Sequence, residues 1–198
     1  MSEHYKALNF HTMPVGAGYA RPEQQFPGGL SIDSPALQAM TDLRKVTALT
    51  VERTNTLAAT RERMAKLGVR MLLVTGATGA VMGVITVTDL DSGRPEKIAA
   101  KTGEQPQELL VQDIMTLRGR IEVLRLEDVA NASVGQVLNS LRHAGRRHAL
   151  VLDDHGSQQT TEICGIFSLT RLCGQIGLDI LPGESIEKIE DALSRLLG

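Results

Sequence analysis

The sequence is 198 residues long, 42% hydrophobic and 22% charged, an ordinary globular composition with room for one domain or two small ones sharing a core. Its formal net charge of -2 argues against a nucleic-acid partner, which selects basic domains, and aromatic residues at 3% leave no stacking platform for single strands. Two cysteines, Cys164 and Cys173, cannot build a disulfide framework and read as reduced, buried thiols of a cytoplasmic protein.

The first residues, MSEHYKALNFHTM, mix acidic, basic and polar groups without an apolar stretch, so no signal peptide is expected. No apolar run anywhere is long enough to cross a membrane. Residues 1–35 carry Pro14, Gly16, Gly18, Pro22, Pro27, Gly28, Gly29 and Pro35, too many breakers for regular structure. They are expected to form an extended lead-in.

An internal repeat follows, and it is the strongest signal in the chain. Val46 to Arg70 and Val123 to Arg147 match at an offset of 77 residues. In each, a β-prone run (Val46 to Val51; Val123 to Leu126) precedes a helix. Leu57, Thr60, Met64 and Leu67 match Val134, Val137, Leu141 and Ala144, both sets spaced as one stripe of a helix with 3.6 residues per turn. Ser133 and Gln136 form a capping box, and Thr56 holds the matching cap position. Each helix leads into a short apolar run, Met71 to Thr75 and His148 to Asp153, then a loop and a second run, GVITVTDL and GIFSLTRL. Short, β-branched runs bounded by Gly or Asp predict hairpin strands. One such unit leaves a sheet face bare, so the two are expected to pack on each other.

The ordered pair of units resembles a tandem of cystathionine-β-synthase (CBS) domains, the arrangement called a Bateman module. The residues carrying the resemblance are AMT (Ala39 to Thr41) and VQDIMT (Val111 to Thr116) ahead of the units, with GVITVTDL and GIFSLTRL closing them. It covers roughly residues 36 to 180. The implied fold is α/β, two pseudo-symmetric β-α-β-β-α repeats packed through their sheets. Repeat 1 spans 36–103, repeat 2 spans 104–181, and 182–198 forms a C-terminal amphipathic helix, with Ile186, Ile189, Leu193 and Leu196 on one stripe. That helix covers its own core or contacts a second subunit.

Within GVITVTDL, Gly83 permits close backbone approach, and Thr86 ends a strand just before a helix opens near Thr88 and Asp89. As local structure, Thr86 caps the strand and Asp89 caps the helix. As a ligand site, a helix start seats phosphate and a carboxylate accepts bonds from vicinal hydroxyls. The resemblance implies the second: in Bateman modules this carboxylate binds ribose, the Ser or Thr contacts phosphate, and residues near the first strand surround adenine. It assigns Thr86 and Asp89 to the site, with Val46, Thr47 and Ala48 as neighbours. In the second copy Ser168 matches Thr86, but Arg171 stands where Asp89 stands. Arginine only donates, so one competent nucleoside site and one altered or empty site are expected. Arg70 and Arg147 are equivalent across the repeat, and related modules use this position for phosphate. Arg147 and His148, with Arg146 beside them, form a small basic cluster.

LLVTGATGAVMG (Leu72 to Gly83) mimics a dinucleotide-binding glycine loop, but β-branched residues follow it where a helix is required. His143, His148 and His155 lack metal-pair spacing, His4 and His11 lie in the lead-in, and no catalytic set is visible. The expected protein is therefore a cytoplasmic regulator, not an enzyme, needing no cofactor. It binds AMP, ADP or ATP between its repeats and pairs, as the resemblance implies, into a homodimer. It touches neither nucleic acid nor membrane. Two alternatives stand: a module that docks a regulated partner protein and binds no nucleotide, and a site for S-adenosylmethionine, whose cation would gain nothing from Arg147.

Overall fold

The computed structural model describes residues 29–154 and 161–178, together with Lys188 and Asp191. The lead-in before residue 29, His155, and most of the expected C-terminal helix lie outside the described residues. Two four-stranded sheets carry the fold. The first orders β2 (Thr50–Glu52), β3 (Met71–Thr75), β4 (Val81–Thr86) and β5 (Thr116–Leu117). The second orders β1 (Thr41–Asp42), β8 (Glu162–Ser168), β7 (His148–Asp153) and β6 (Val123–Arg125). In each, a parallel pair brackets a helix, α2 (Leu57–Leu67) or α7 (Val134–His143), and an antiparallel hairpin follows. The hairpin between Met71 and Thr86 removes the dinucleotide-loop alternative, because a strand follows the glycines.

The outer strands are exchanged. β1 pairs with β8, Thr41 opposite Ile166, and β5 pairs with β4, Thr116 opposite Val84. Each leading motif therefore completes the sheet of the other half. The close backbone approach expected at Gly83 is made by the protein's own chain: a Cβ there would run into the Thr116 carbonyl oxygen. At Gly165 the intruding group would be the Met40 side chain.

The offset of 77 residues holds for the helix and the strand after it but fails for the first strand. Thr50 faces Leu73 and Val123 faces Leu150, so the first strands stand 73 residues apart. The strand expected over Val46 to Val51 is confined to Thr50–Glu52. Asp42 is the reason: its carbonyl accepts the N–H groups of Lys45 and Val46, and its carboxylate accepts the backbone and guanidinium of Arg44, winding the chain into a turn. In the second half, the short helix α6 (Leu126–Ala130) fills the difference before α7.

Both expected caps are present. The Thr56 hydroxyl accepts from Ala59 N at 3.2 Å, and Ser133 and Gln136 close a reciprocal box. The apolar stripes bury Leu57, Thr60 and Met64, and Val134, Val137 and Leu141. They stop one turn early, because Leu67 is 42% exposed and Ala144 is an exposed C-cap residue. Thr60 is fully buried, its hydroxyl donating to the Thr56 carbonyl at 2.8 Å, so the polar atom carries no desolvation debt.

Among the described residues, three apolar clusters form the core. One lies under the first sheet (Val51, Leu72, Ile85, Ile114) and one under the second (Leu138, Val151, Phe167, Leu172). The third joins the sheets: Leu73, Val84 and Leu150, flanked by Met71, Ile163 and Ile166. Alternating side chains of one strand serve two clusters, Leu72 and Val74 facing their own helices and Leu73 the other sheet. Burying each such leucine contributes about 1.5–3 kcal/mol. The architecture is thus two pseudo-symmetric repeats packed through their sheets.

Candidate functional site

The candidate residues gather where β3 and β7 begin and β4 and β8 end. Met71 sits opposite Thr86 and His148 opposite Ser168. The carbonyl of Arg70 accepts Val87 N at 2.9 Å, and the carbonyl of Arg147 accepts Leu169 N at 2.8 Å. Each arginine backbone thereby braces the first turn of the helix after the hairpin, α3 (Val87–Leu90) or α8 (Leu169–Gln175). Because Leu73 and Leu150 bind the two sheets together, the two ends face one another.

The electrostatics show that convergence. His148 is held down to about 4 by burial first and then by the charges of Arg147 and Arg70. A residue of the first repeat is thus felt by a histidine of the second, and the ring is neutral at pH 7. Arg70 and Arg147 thus bring positive charge from both halves to the neutral ring of His148. Arg146 stands apart from it in an ion pair with Glu122.

At the first helix start, Thr86 and Asp89 bind each other. Thr86 N and Oγ1 donate to Asp89 Oδ2 at 2.8 and 2.7 Å, and Thr86 Oγ1 accepts Asp89 N at 3.2 Å. This is a complete capping box, and it places the helix start at Val87, not near Thr88 and Asp89. Among the described residues Asp89 Oδ1 has no hydrogen-bond partner. At the second helix start Ser168 makes no cap bond, and the Arg171 guanidinium reaches Thr41 Oγ1 on β1 at 3.2 Å. Burial lowers the affinity of Arg171 for its proton.

Of the neighbours expected around a base, Ala48 packs into the inter-sheet cluster, Thr47 is exposed and Val46 is 49% exposed. Thr41 joins these candidate residues through its bond from Arg171, a meeting the sequence does not announce. Its motif was visible as AMT, but nothing local shows that it meets a helix of the other repeat. Both cysteines are buried; burial raises both thiols, Cys173 to about 11, so neither is a ready nucleophile. Among the described residues no cluster of His, Cys, Asp and Glu gathers to hold a metal, and no helix is long and apolar enough to cross a membrane.

No protein-family model matches the sequence, and no curated protein matches it. Solved structures do match. A conserved protein from Pyrococcus horikoshii is 21% identical with a TM-score of 0.55, covering 78% of this chain and 100% of its own. A CBS-domain containing protein from Agrobacterium tumefaciens is 18% identical with a TM-score of 0.52, covering 73% and 94%. A conserved CBS domain protein from Thermoplasma acidophilum is 20% identical with a TM-score of 0.50, covering 79% and 77%.

Proposed function

Given a chain with the fold of a tandem CBS-domain protein, we propose that it is a regulatory module that binds an adenine nucleotide (AMP, ADP or ATP) at the junction of its repeats. The observation that carries this reading is the convergence of Arg70, beside the Thr86–Asp89 turn, with Arg147 and His148 of the other repeat. Two guanidinium groups from different repeats form a seat for phosphate that neither repeat has alone, and a charge-assisted bond to each contributes about 1.5–3 kcal/mol. Asp89 Oδ1 is available to a ribose, and Ala48 lies at the apolar margin. A ligand touching both halves binds differently when their packing changes, which is the whole source of its regulatory leverage. In this reading the protein is cytoplasmic, a homodimer, and has no catalytic chemistry of its own.

The test is titration calorimetry with AMP, ADP, ATP and S-adenosylmethionine on the wild type, Arg147→Met and Asp89→Ala. One adenine nucleotide is expected to bind per chain, weakened about tenfold or more in Arg147→Met and lost in Asp89→Ala. Arg147→Met leaves the Thr86–Asp89 box intact, so its loss of affinity is free of any capping effect.

One observation favours a second reading, a module that docks a partner protein. The Thr86–Asp89 box is self-sufficient, so local helix capping explains both residues without a ligand. Absence of heat with all four compounds, on protein freed of carried-over nucleotide, selects that reading.

A further inference from the structure

The second sheet ends in the edge strand β6, and the ground beside it is apolar. A groove of about 180 Å³ runs between β6 and α7, lined by Val123, Leu124, Leu141, Ala144 and Ala149. At the matching edge of the first sheet, Arg63 donates to the Thr50 carbonyl and lays its stem over the strand. Ser140 stands in the place of Arg63 in the second repeat and turns its hydroxyl back to the Gln136 carbonyl. The groove is thus left uncovered in one repeat only, the one from which the chain runs on through residues 179–198.

Leu178, which follows the left-handed Gly177 after α8, packs against the same second-sheet cluster as Leu124 and Ala149 of the groove floor. The stretch from Leu178 to Ile186 spans up to roughly 26 Å when extended, enough to pass over α7, a helix about 10–12 Å across. Beyond it the sequence sets Ile186, Ile189, Leu193 and Leu196 on one helical stripe. Lys188 and Asp191 are helical and exposed, and helical spacing puts both on the side away from that stripe. Charge matches as well. Glu184, Glu187, Glu190 and Asp191 outnumber Lys188 and Arg195 in this segment. The end of α7 beside the groove carries Arg142 and His143, with Arg146 at the groove itself.

We propose that residues 184–196 form a helix that docks its apolar stripe into this groove, as a strap across the edge of the second sheet. Glu187 and Glu190, flanking the stripe, lie toward Arg146. The strap covers in the second repeat what Arg63 covers in the first. A helix this short is marginal alone in water, so its backbone amides are shielded from exchange only while it is docked. It is a local unit that releases well before the core unfolds, so docking is read in the native protein, separately from the stability of the core. The strap goes beyond the nucleotide reading and does not depend on it.

The experiment is hydrogen exchange of the full chain, followed by mass spectrometry on peptides from residues 184–196. Their amides are expected to exchange about tenfold or more slowly than in Leu193→Glu, which sets a charge in the stripe. Ser140→Arg closes the groove from within. It is expected to remove the same protection while leaving exchange in β7 and β8 unchanged. Absence of protection in the wild type overturns the proposal. So does protection that survives in Ser140→Arg, because the segment then covers another part of the molecule. Protection that grows with protein concentration overturns it too, by assigning the groove to the same segment of a second copy.

Discussion

The two repeats share a backbone plan and finish it with different chemistry. Where the first hairpin turns into its helix, the bonds are local: Thr86 and Asp89 Oδ2 satisfy each other within one turn. At the matching place in the second, Ser168 makes no cap bond, Arg171 reaches 130 residues back along the chain to Thr41, and Gln175 is left unanswered. The contrast extends to the glycines beneath the exchanged strands. Gly83 lies against backbone, the Thr116 carbonyl, whereas Gly165 lies against the Met40 side chain. Backbone held in a ladder cannot retreat, and a methionine can change rotamer. Gly83→Ala should therefore cost about 3 kcal/mol or more, the upper end for overpacked sites, and Gly165→Ala only about 1–2 kcal/mol. Urea unfolding of both variants checks this; equal losses would mean that β5 is not firmly paired to β4.

His148 sharpens the contrast between repeats, since its matching residue in the first is Met71, which cannot titrate. The folded protein binds a proton at His148 only near pH 4, while the unfolded chain binds it at the ordinary 6.5. The depressed folded value means that this stabilising contribution is fully present above pH 6.5. It falls away as pH drops from 6.5 to 4, by up to about 3 kcal/mol, with no further loss from this group below that. His148→Gln is expected to flatten that part of the stability-versus-pH curve, while Met71→Leu should leave its shape unchanged.

Much of this was legible from residues alone. Thr56, Ser133 and Gln136 announce helix starts because a cap needs only the nearest turn of chain. The hairpins were legible because β-branched runs around short polar loops have few other uses. What stayed hidden was non-local or degenerate. AMT and DIMT are too short to say which sheet they join, and the exchange of β1 and β5 is decided by packing between halves. The four-residue slip of the first strand was masked because Leu126–Ala130 folds as a helix where a constant offset implies loop. Thr86 and Asp89 are ambiguous in principle: a spacing of three serves both a capping box and a ligand pair. Only coordinates show that one carboxylate oxygen is committed and the other is not.

The capping difference predicts a smaller asymmetry. Thr86→Ala removes an acceptor for Asp89 N and a donor to Asp89 Oδ2, a loss of about 1 kcal/mol or somewhat more, as for other N-caps. Ser168→Ala removes no cap bond and should lie within about 0.5 kcal/mol of the wild type. Thermal unfolding of the two variants measured side by side decides it. A large loss in Ser168→Ala would show the hydroxyl to be structurally engaged.

The smallest expected effect concerns the grooves beside α2 and α7. In the first repeat, Arg63 lays its side chain over the sheet edge and its Nε donates to the Thr50 carbonyl at 3.0 Å. The matching residue in the second repeat is Ser140, whose hydroxyl turns back to the Gln136 carbonyl. There the groove stays open, lined by Val123, Leu124, Leu141, Ala144 and Ala149, and Val123 is 37% exposed. An arginine stem covers apolar surface while its head stays in water, so Arg63→Ala should cost only about 0.5–1 kcal/mol, one net hydrogen bond and a little covered area. Ser140→Arg should recover part of that amount in the second repeat by closing over Val123 and meeting its carbonyl. Because both substitutions act on the same backbone geometry, opposite signs in urea unfolding would show that the repeats differ here in side chains alone. A loss from both would mean that the second groove has a shape of its own, already diverged from the first at the level of the strand.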